Sequence, residues 1–389
     1  MEITGTPDHH GSHRDLLWMP EGASPGRVDA IIVPTVRHPR HLETAKNLAT
    51  KLDCTLVTLH SGKWTSAAAA AQHISPHLRL IAVDVPDKSE LRLLDFETTQ
   101  LTVDTIFGTR KDLSVKRNIG LLLAYMVGWQ RIIFLDDDIS VPHPADLRYA
   151  AGLLDTYNAV GLSIDGFPDN SMVCHAYRMI GGSQQSFIGG GALAVETTRN
   201  RSFFPDIYNE DWFYMLDPQK GLQPVAATGV AVQSPYEPFR EERARMEEFG
   251  DVLAEGIFWL LDQGGSLADA RCEHWCDFLP RRRRFIKYII DHIDGVPVAV
   301  EERARIVGSL RASLGRLALI EPEWCERYLR AWVADRLAWE RQVRNLRSGF
   351  SADDALKSLS KKGRRPLSYI INHRSDNQAQ LGNQPQSSG

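Results

Sequence analysis

The feature that most constrains this chain is a short apolar run that ends in charge. Arg131-Ile132-Ile133-Phe134-Leu135 leads directly into Asp136-Asp137-Asp138. A continuous apolar run of this length is the pattern of a strand buried on both faces. Three adjacent carboxylates at its mouth repel one another and are costly to desolvate. In open α/β sheets, ligands bind beyond the carboxyl ends of the strands. The triplet therefore predicts a bound divalent cation, Mn²⁺ or Mg²⁺, since both favour carboxylate and phosphate oxygens together. Successive side chains in extended backbone point to opposite sides, so the alternating pair Asp136 and Asp138 are the expected metal ligands. The competing reading is a helix cap or a solvated turn, and the apolar strand immediately upstream weighs against it.

The surrounding pattern alternates strand and helix. Ala30 to Val33, halted by Pro34, reads as a buried strand. Leu42, Ala45, Leu48, Ala49 and Leu52 fall on one face of a helix. Thr55 to Leu59 and Leu80 to Val83 read as strands, with more at Val160 to Ile164, Ala192 to Val195 and Ala226 to Val232. Ser114 is placed to cap a helix from Lys116 through Tyr125 that Gly128 ends. A further helix is expected over much of Glu241 to Leu261. The rhythm implies an α/β fold with a mostly parallel, twisted, doubly wound sheet flanked by helices.

Four regions are expected. Residues 1–27 are polar and rich in Gly, Pro and His, and read as a flexible leader. Its His9-His10-Gly11-Ser12-His13 stretch is a weak metal binder at most, with a solvated tail preferred. Residues 28–280 form the catalytic α/β domain. Residues 281–350 form a helical C-terminal region that opens with the basic run Arg281 to Arg284, and residues 351–389 form a largely disordered basic and polar tail. The basic run could grip a diphosphate, an anionic acceptor or a membrane face, although charge runs are usually solvated.

Composition excludes some classes. A formal net charge of -4 gives no global signature of a nucleic-acid binder. No run is long and apolar enough to span a bilayer. The five cysteines are scattered and odd in number, so a disulfide framework is not expected. A cytoplasmic location follows as the expectation, with peripheral contact at the inner membrane face as an extension of it.

Phe134-Leu135-Asp136-Asp137-Asp138-Ile139 resembles the Asp-x-Asp segment of GT-A fold glycosyltransferases, especially glycosyltransferase family 2. Lys116-Arg117-Asn118-Ile119-Gly120 is similar to the basic helix start that faces nucleotide and phosphates in that family. Gly189-Gly190-Gly191-Ala192-Leu193-Ala194 resembles its glycine-rich segment beneath the sugars, and Asn209-Glu210-Asp211-Trp212-Phe213 resembles its acidic pair at a helix start. The resemblance spans roughly residues 28–280. It implies a donor site for a UDP- or GDP-sugar formed by Pro34, Thr35, Arg37, Lys116, Arg117, Asp136, Asp137, Gly190 and Gly191. It further implies Asp211 as catalytic base in an inverting transfer, Glu210 beside it, and His274 as a third metal ligand. The acceptor is a small molecule, glycan or peptide.

Some features depart from that pattern. The second strand ends Leu59-His60-Ser61-Gly62, where the family places an acidic residue near the base, so Asp84 or Asp95 is the expected substitute. Three rivals remain at this stage. They are a retaining transferase like glucosyl-phosphoglycerate or mannosylglycerate synthases, a nucleotidyltransferase, and a non-catalytic sugar-nucleotide-binding protein. Against the second, Val33-Pro34-Thr35-Val36-Arg37 is not a glycine-rich phosphate loop. Zinc at Cys272-Glu273-His274-Trp275-Cys276 lacks a second cysteine pair.

Overall fold

A computed structural model describes residues 8–109, 111–165, 167, 171–183, 188–199, 201–361 and 366–373. Its strands are β1 (Ala30–Thr35), β2 (Thr55–His60), β3 (Leu80–Asp84), β4 (Arg131–Leu135), β5 (Ile139–Ser140), β6 (Ala159–Asp165), β7 (Ala192–Glu196), β8 (Leu216–Asp217), β9 (Gly221–Leu222), β10 (Val225–Gln233) and β11 (Ser368–Asn372). The apolar runs named above all fall within these strands. The helices are α1 (Glu43–Leu52), α2 (Ala67–His73), α3 (Glu97–Thr102), α4 (Leu113–Val127), α5 (Pro144–Leu153), α6 (Met172–Met179), α7 (Glu210–Met215), α8 (Glu241–Asp262), α9 (Cys272–His292), α10 (Val300–Leu317), α11 (Pro322–Arg344) and α12 (Ala352–Leu359).

One mixed sheet organises the molecule, in the order β11-β3-β2-β1-β4-β7-β6-β10-β5. The β3-β2-β1-β4 half is parallel, and so is β6 with β10. β7 runs antiparallel between β4 and β6. The central strands are buried on both faces, which their unbroken apolar sequences require. Ile31, Val33, Leu56 and Ile133 pack with α1, α2 and α5 on one side, whereas Ile32, Val57 and Phe134 pack with α4 and the large helical layer on the other. Gly120 lets α4 approach closely, since a Cβ there would lie 3.0 Å from Ile32 Cγ2. No helix among the described residues is long and apolar enough to cross a membrane.

Chain order fixes where a ligand can enter. From β1 the chain moves outward through β2 and β3, then returns to place β4 on the other flank of β1. At such a reversal the connections leave to opposite sides and open a crevice beyond the strand ends. Thr35 closes β1 and Asp136 follows β4, so both fall at this crevice.

Several expectations are corrected. Residues 8–27 are packed rather than loose: His13 and Leu17 are buried, and Trp18 exchanges backbone hydrogen bonds with β10 through Val225 O and Ala227 N. Ser114 does not cap α4. Its hydroxyl donates to the Pro205 carbonyl at 2.7 Å, and Asp112 occupies the cap position. The composition shift at Pro280 marks no structural break, because α9 runs through it and buries Trp275, Phe278 and Phe285 on one stripe. Part of the expected tail is ordered, since Ala355, Leu356 and Leu359 bury α12 and β11 adds antiparallel to β3. Residues 374–389 lie outside the described residues.

Candidate active site at the carboxyl ends of β1 and β4

The Asp136 N–H donates to the Gly191 carbonyl at 2.9 Å, and the Ile139 N–H returns to the Asp136 carbonyl at 3.2 Å. The triplet is thus a turn pinned against the glycine segment, with its carboxylates fanned across the crevice. Each meets a cation. Arg117 Nη2 lies 3.0 and 3.2 Å from the two oxygens of Asp136. Arg37 Nη2 donates to Asp138 at 3.0 Å, and its Nη1 is 3.5 Å from Asp137. The Thr35 hydroxyl donates to Asp137 as well.

The two arginines differ in environment. Arg117 is buried in α4 and also bonds Glu210, so it ties the triplet to the start of α7. Burial opposes its charge, but Asp136 and Glu210 outweigh that and raise its pKa. The Arg37 side chain is 41% exposed, which leaves it able to exchange carboxylate for an arriving anion. Burial raises the carboxyls of Asp137 and Asp138 above their usual range despite Arg37. The neighbouring aspartates push in the same direction as burial.

Lys116 is buried, with Nζ donating to the Thr35 carbonyl at 3.0 Å and to Ser61 Oγ at 2.7 Å. It braces the ends of β1 and β2 rather than facing the crevice freely. Pro34 is buried within β1 beside Thr35. In β2, His60 is buried between Thr58 and Thr65, and burial lowers its pKa to about 4. Asp84 aligns with His60 across β2 and β3 and accepts from the Ala67 N–H at 2.7 Å. Asp95 is exposed outside the regular elements.

The glycine segment and the acidic pair meet directly. The Gly190 N–H donates to Asp211 at 2.5 Å, and the Trp212 N–H donates to its other oxygen at 2.9 Å. A Cβ on Gly190 would fall 2.6 Å from Arg117 Nη1, and one on Gly191 would fall 3.2 Å from Asp136 Oδ2. A side chain at Gly190 would displace the Arg117 guanidinium, and one at Gly191 would press on Asp136. Burial raises the carboxyls of Glu210 and Asp211, with Arg117 pulling both the other way. Asn209, just before them, adopts φ 63°, uncommon for a residue with a side chain, and its amide donates to Asp251 at 2.9 Å. Strained backbone of this kind persists where the surroundings over-determine it, often at functional sites.

Twelve of the thirteen predicted site residues therefore form one connected cluster or abut it: Pro34, Thr35, Arg37, Lys116, Arg117, Asp136, Asp137, Asp138, Gly190, Gly191, Glu210 and Asp211. His274 does not join them. Its Nε2 bonds the Gly256 carbonyl at 3.0 Å and its ring stacks on Phe278, a packing role within the helical layer. Among the described residues it belongs to no group able to hold a metal. Cys272 donates to Glu326 and Cys276 is exposed, so the cysteine pair builds no zinc site there either. Sequence reasoning missed Ser61 and Asn209, since neither residue type at its position carries a signal until the fold places its partners.

No protein-family model matches the chain, and no curated protein sequence matches it. Among solved structures it is similar to the mannosyltransferase PcManGT from Pyrobaculum calidifontis in complex with GDP-Man and Mn²⁺. The two are 15% identical over 84% of this chain and 92% of that one, with a TM-score of 0.42. Similarity at that level assigns neither family nor activity, and the geometry of the crevice carries the functional reading.

Proposed function

We propose that this chain is a GT-A type glycosyltransferase that moves a sugar from a UDP- or GDP-sugar to an acceptor hydroxyl with Mn²⁺ or Mg²⁺. The observation that carries this reading is the convergence at the β1–β4 switch point. There, three aspartates, a half-exposed arginine, two closely packed glycines and a largely buried acidic pair join in one hydrogen-bonded cluster.

The residues fit a divalent cation. Asp137 and Asp138 are hard oxygen donors whose direct polar contacts include the exchangeable Arg37 and the Thr35 hydroxyl. Asp136 and Asp138 would hold the ion, which when bound neutralises a diphosphate leaving group. Arg37 turns from the aspartates to the phosphates, where a guanidinium fork binds two oxygens. Arg117 is a positioning residue, clamping Asp136 and Glu210 in fixed relation. Lys116 positions the ends of β1 and β2. Asp211, raised in pKa and aligned by the Gly190 and Trp212 N–H groups, takes the proton from the acceptor hydroxyl as that oxygen attacks the anomeric carbon. Inversion follows.

A second reading rests on the same contacts. Both Asp211 oxygens already accept backbone N–H groups, as in a residue that shapes the site without moving a proton. A retaining transferase would use Asp211 so. An α-linked product from an α-linked donor assigns that role; a β-linked product assigns the base.

The test is a thermal-shift screen of nucleoside diphosphates and nucleotide sugars with and without Mn²⁺, followed by assay of the stabilising donor. A ligand that binds only the native state raises its apparent stability by mass action. Asp211→Asn is expected to lower kcat by about a hundredfold or more with little change in donor KM. Equal losses in donor binding and turnover would remove Asp211 from proton transfer.

A further inference from the structure

The N-terminal segment packs where one of its histidines is held by charge from both sides. His13 is buried, with Nδ1 in contact with Asp262 and Nε2 3.4 Å from Glu255, both on α8. A neutral imidazole has one N–H and one lone pair, so it can donate to only one of two carboxylates. The imidazolium donates to both. Burial opposes that charge, but hydrogen bonds to Asp262 and Glu255 outweigh it and raise the His13 pKa to about 9.

The titratable and charged groups around it leave this pairing intact. His10 Nδ1 lies 2.6 Å from the Ser12 carbonyl and 3.4 Å from Asp262. His9 is buried and stacks on Phe285 with centroids 4.1 Å apart, and burial lowers its pKa to about 4, so it stays neutral. From α9, Arg282 acts on Glu255 through its charge but donates its hydrogen bonds to Glu248 and Asp251.

His13 also reaches the acidic pair through one residue. Its ring meets Trp212 edge-on, with centroids 5.4 Å apart and an interplanar angle of 89°. Trp212 packs in turn on Phe258 of α8 at 4.7 Å, and its backbone N–H donates to Asp211 at 2.9 Å. With six residues and no side-chain cap, α7 is too short to fix its own start by backbone hydrogen bonding. Contacts to Trp212 therefore bear directly on where Asp211 lies.

We infer that His13, hydrogen-bonded on both ring nitrogens, is a positioning residue for Asp211. It locks the N-terminal segment on α8 and, through Trp212, holds the start of α7 against Gly190. The inference rests on the proposed role of Asp211 and makes the N-terminal segment part of the site. The lock is complete below pH 6.5 and is lost as pH rises through about 9.

The experiment compares the full-length wild type with His13→Gln and Asp262→Asn, with circular dichroism checking the fold. Asp262→Asn keeps an acceptor for the ring and serves should His13→Gln fail to fold. For the nucleotide sugar that stabilises the wild type, kcat is expected to fall about tenfold or more, with Mn²⁺-dependent nucleotide affinity within about twofold. Wild-type kcat is also expected to decline as pH rises through about 9, a limb absent from His13→Gln. Amide hydrogen exchange in α7 is expected to quicken in both variants while β4 is unchanged. Wild-type kcat in the variants, the same alkaline limb in His13→Gln, or an equal loss of nucleotide affinity overturns the inference. Should no nucleotide sugar turn over, the transferase reading falls and exchange decides alone: faster exchange in α7 upholds the positioning role, and unchanged exchange overturns it.

Discussion

At the scale of single residues, the site depends on how closely unlike groups are held. Gly190 sits against the Arg117 guanidinium, which is fixed on its far side by Asp136 and Glu210 and has nowhere to retreat. Gly190→Ala is expected to cost about 1–3 kcal/mol by overpacking, read as a lower urea midpoint at unchanged m-value. A midpoint equal to wild type would mean that the segment yields freely. His60 makes a separate prediction. Its folded pKa of about 4 lies below the ordinary histidine value of 6.5, because burial favours the neutral ring. The unfolded chain binds that proton more readily, so the stability His60 contributes is complete above pH 6.5 and is lost as pH falls towards 4. His60→Gln should flatten the stability profile across that window, and a profile as steep as wild type would contradict the assignment. The charge of the triplet was legible from sequence because it follows an apolar run directly. Arg37 and Lys116 were legible only through the family resemblance, since a lone basic residue at a strand end or helix start reads equally well as solvated.

At the scale of elements, α8 and α9 are joined by charge that the sequence disguises. Arg282 lies in a run of four arginines that reads as a solvated face. In the fold it is buried, with Nε 3.0 Å from Glu248 and Nη2 2.9 Å from Asp251. Ser313 of α10 bonds Glu248, and Asp251 accepts from Asn209, so the network reaches the residue before Glu210. Its neighbours follow the solvated reading better, with Arg283 exposed and Arg284 paired with Asp8 near the surface. Helical periodicity explains the difference, because one position in the run faces inward while its neighbours rotate away. Arg282→Met leaves two buried carboxylates uncompensated and should cost about 3–5 kcal/mol. Arg283→Met should change stability by less than about 0.5 kcal/mol. Chemical denaturation of the two variants makes the comparison, and equal effects would contradict the burial pattern.

At the scale of the whole molecule, the order of strands brings distant sequence to one crevice. The strand runs were legible because each is apolar throughout and ends at a turn signal. The antiparallel insertion of β7 and the addition of β11 to the sheet edge were not, since pairing partners leave no local trace. The N-terminal segment misled for a similar reason: it is polar, yet His13 finds partners 242 and 249 residues away. The composition shift at Pro280 falls inside α9, because a helix end is set by packing and capping as well as by residue type.

The account rests on Asp138 and its neighbours serving a cation and a diphosphate together. The direct measurement is calorimetric titration of GDP and UDP into the wild type and Asp138→Asn, each with and without Mn²⁺. The account predicts that one nucleotide binds the wild type at least about tenfold more tightly with Mn²⁺, and that Asp138→Asn loses this gain while remaining folded. Nucleotide affinity that ignores both manganese and the substitution would contradict it.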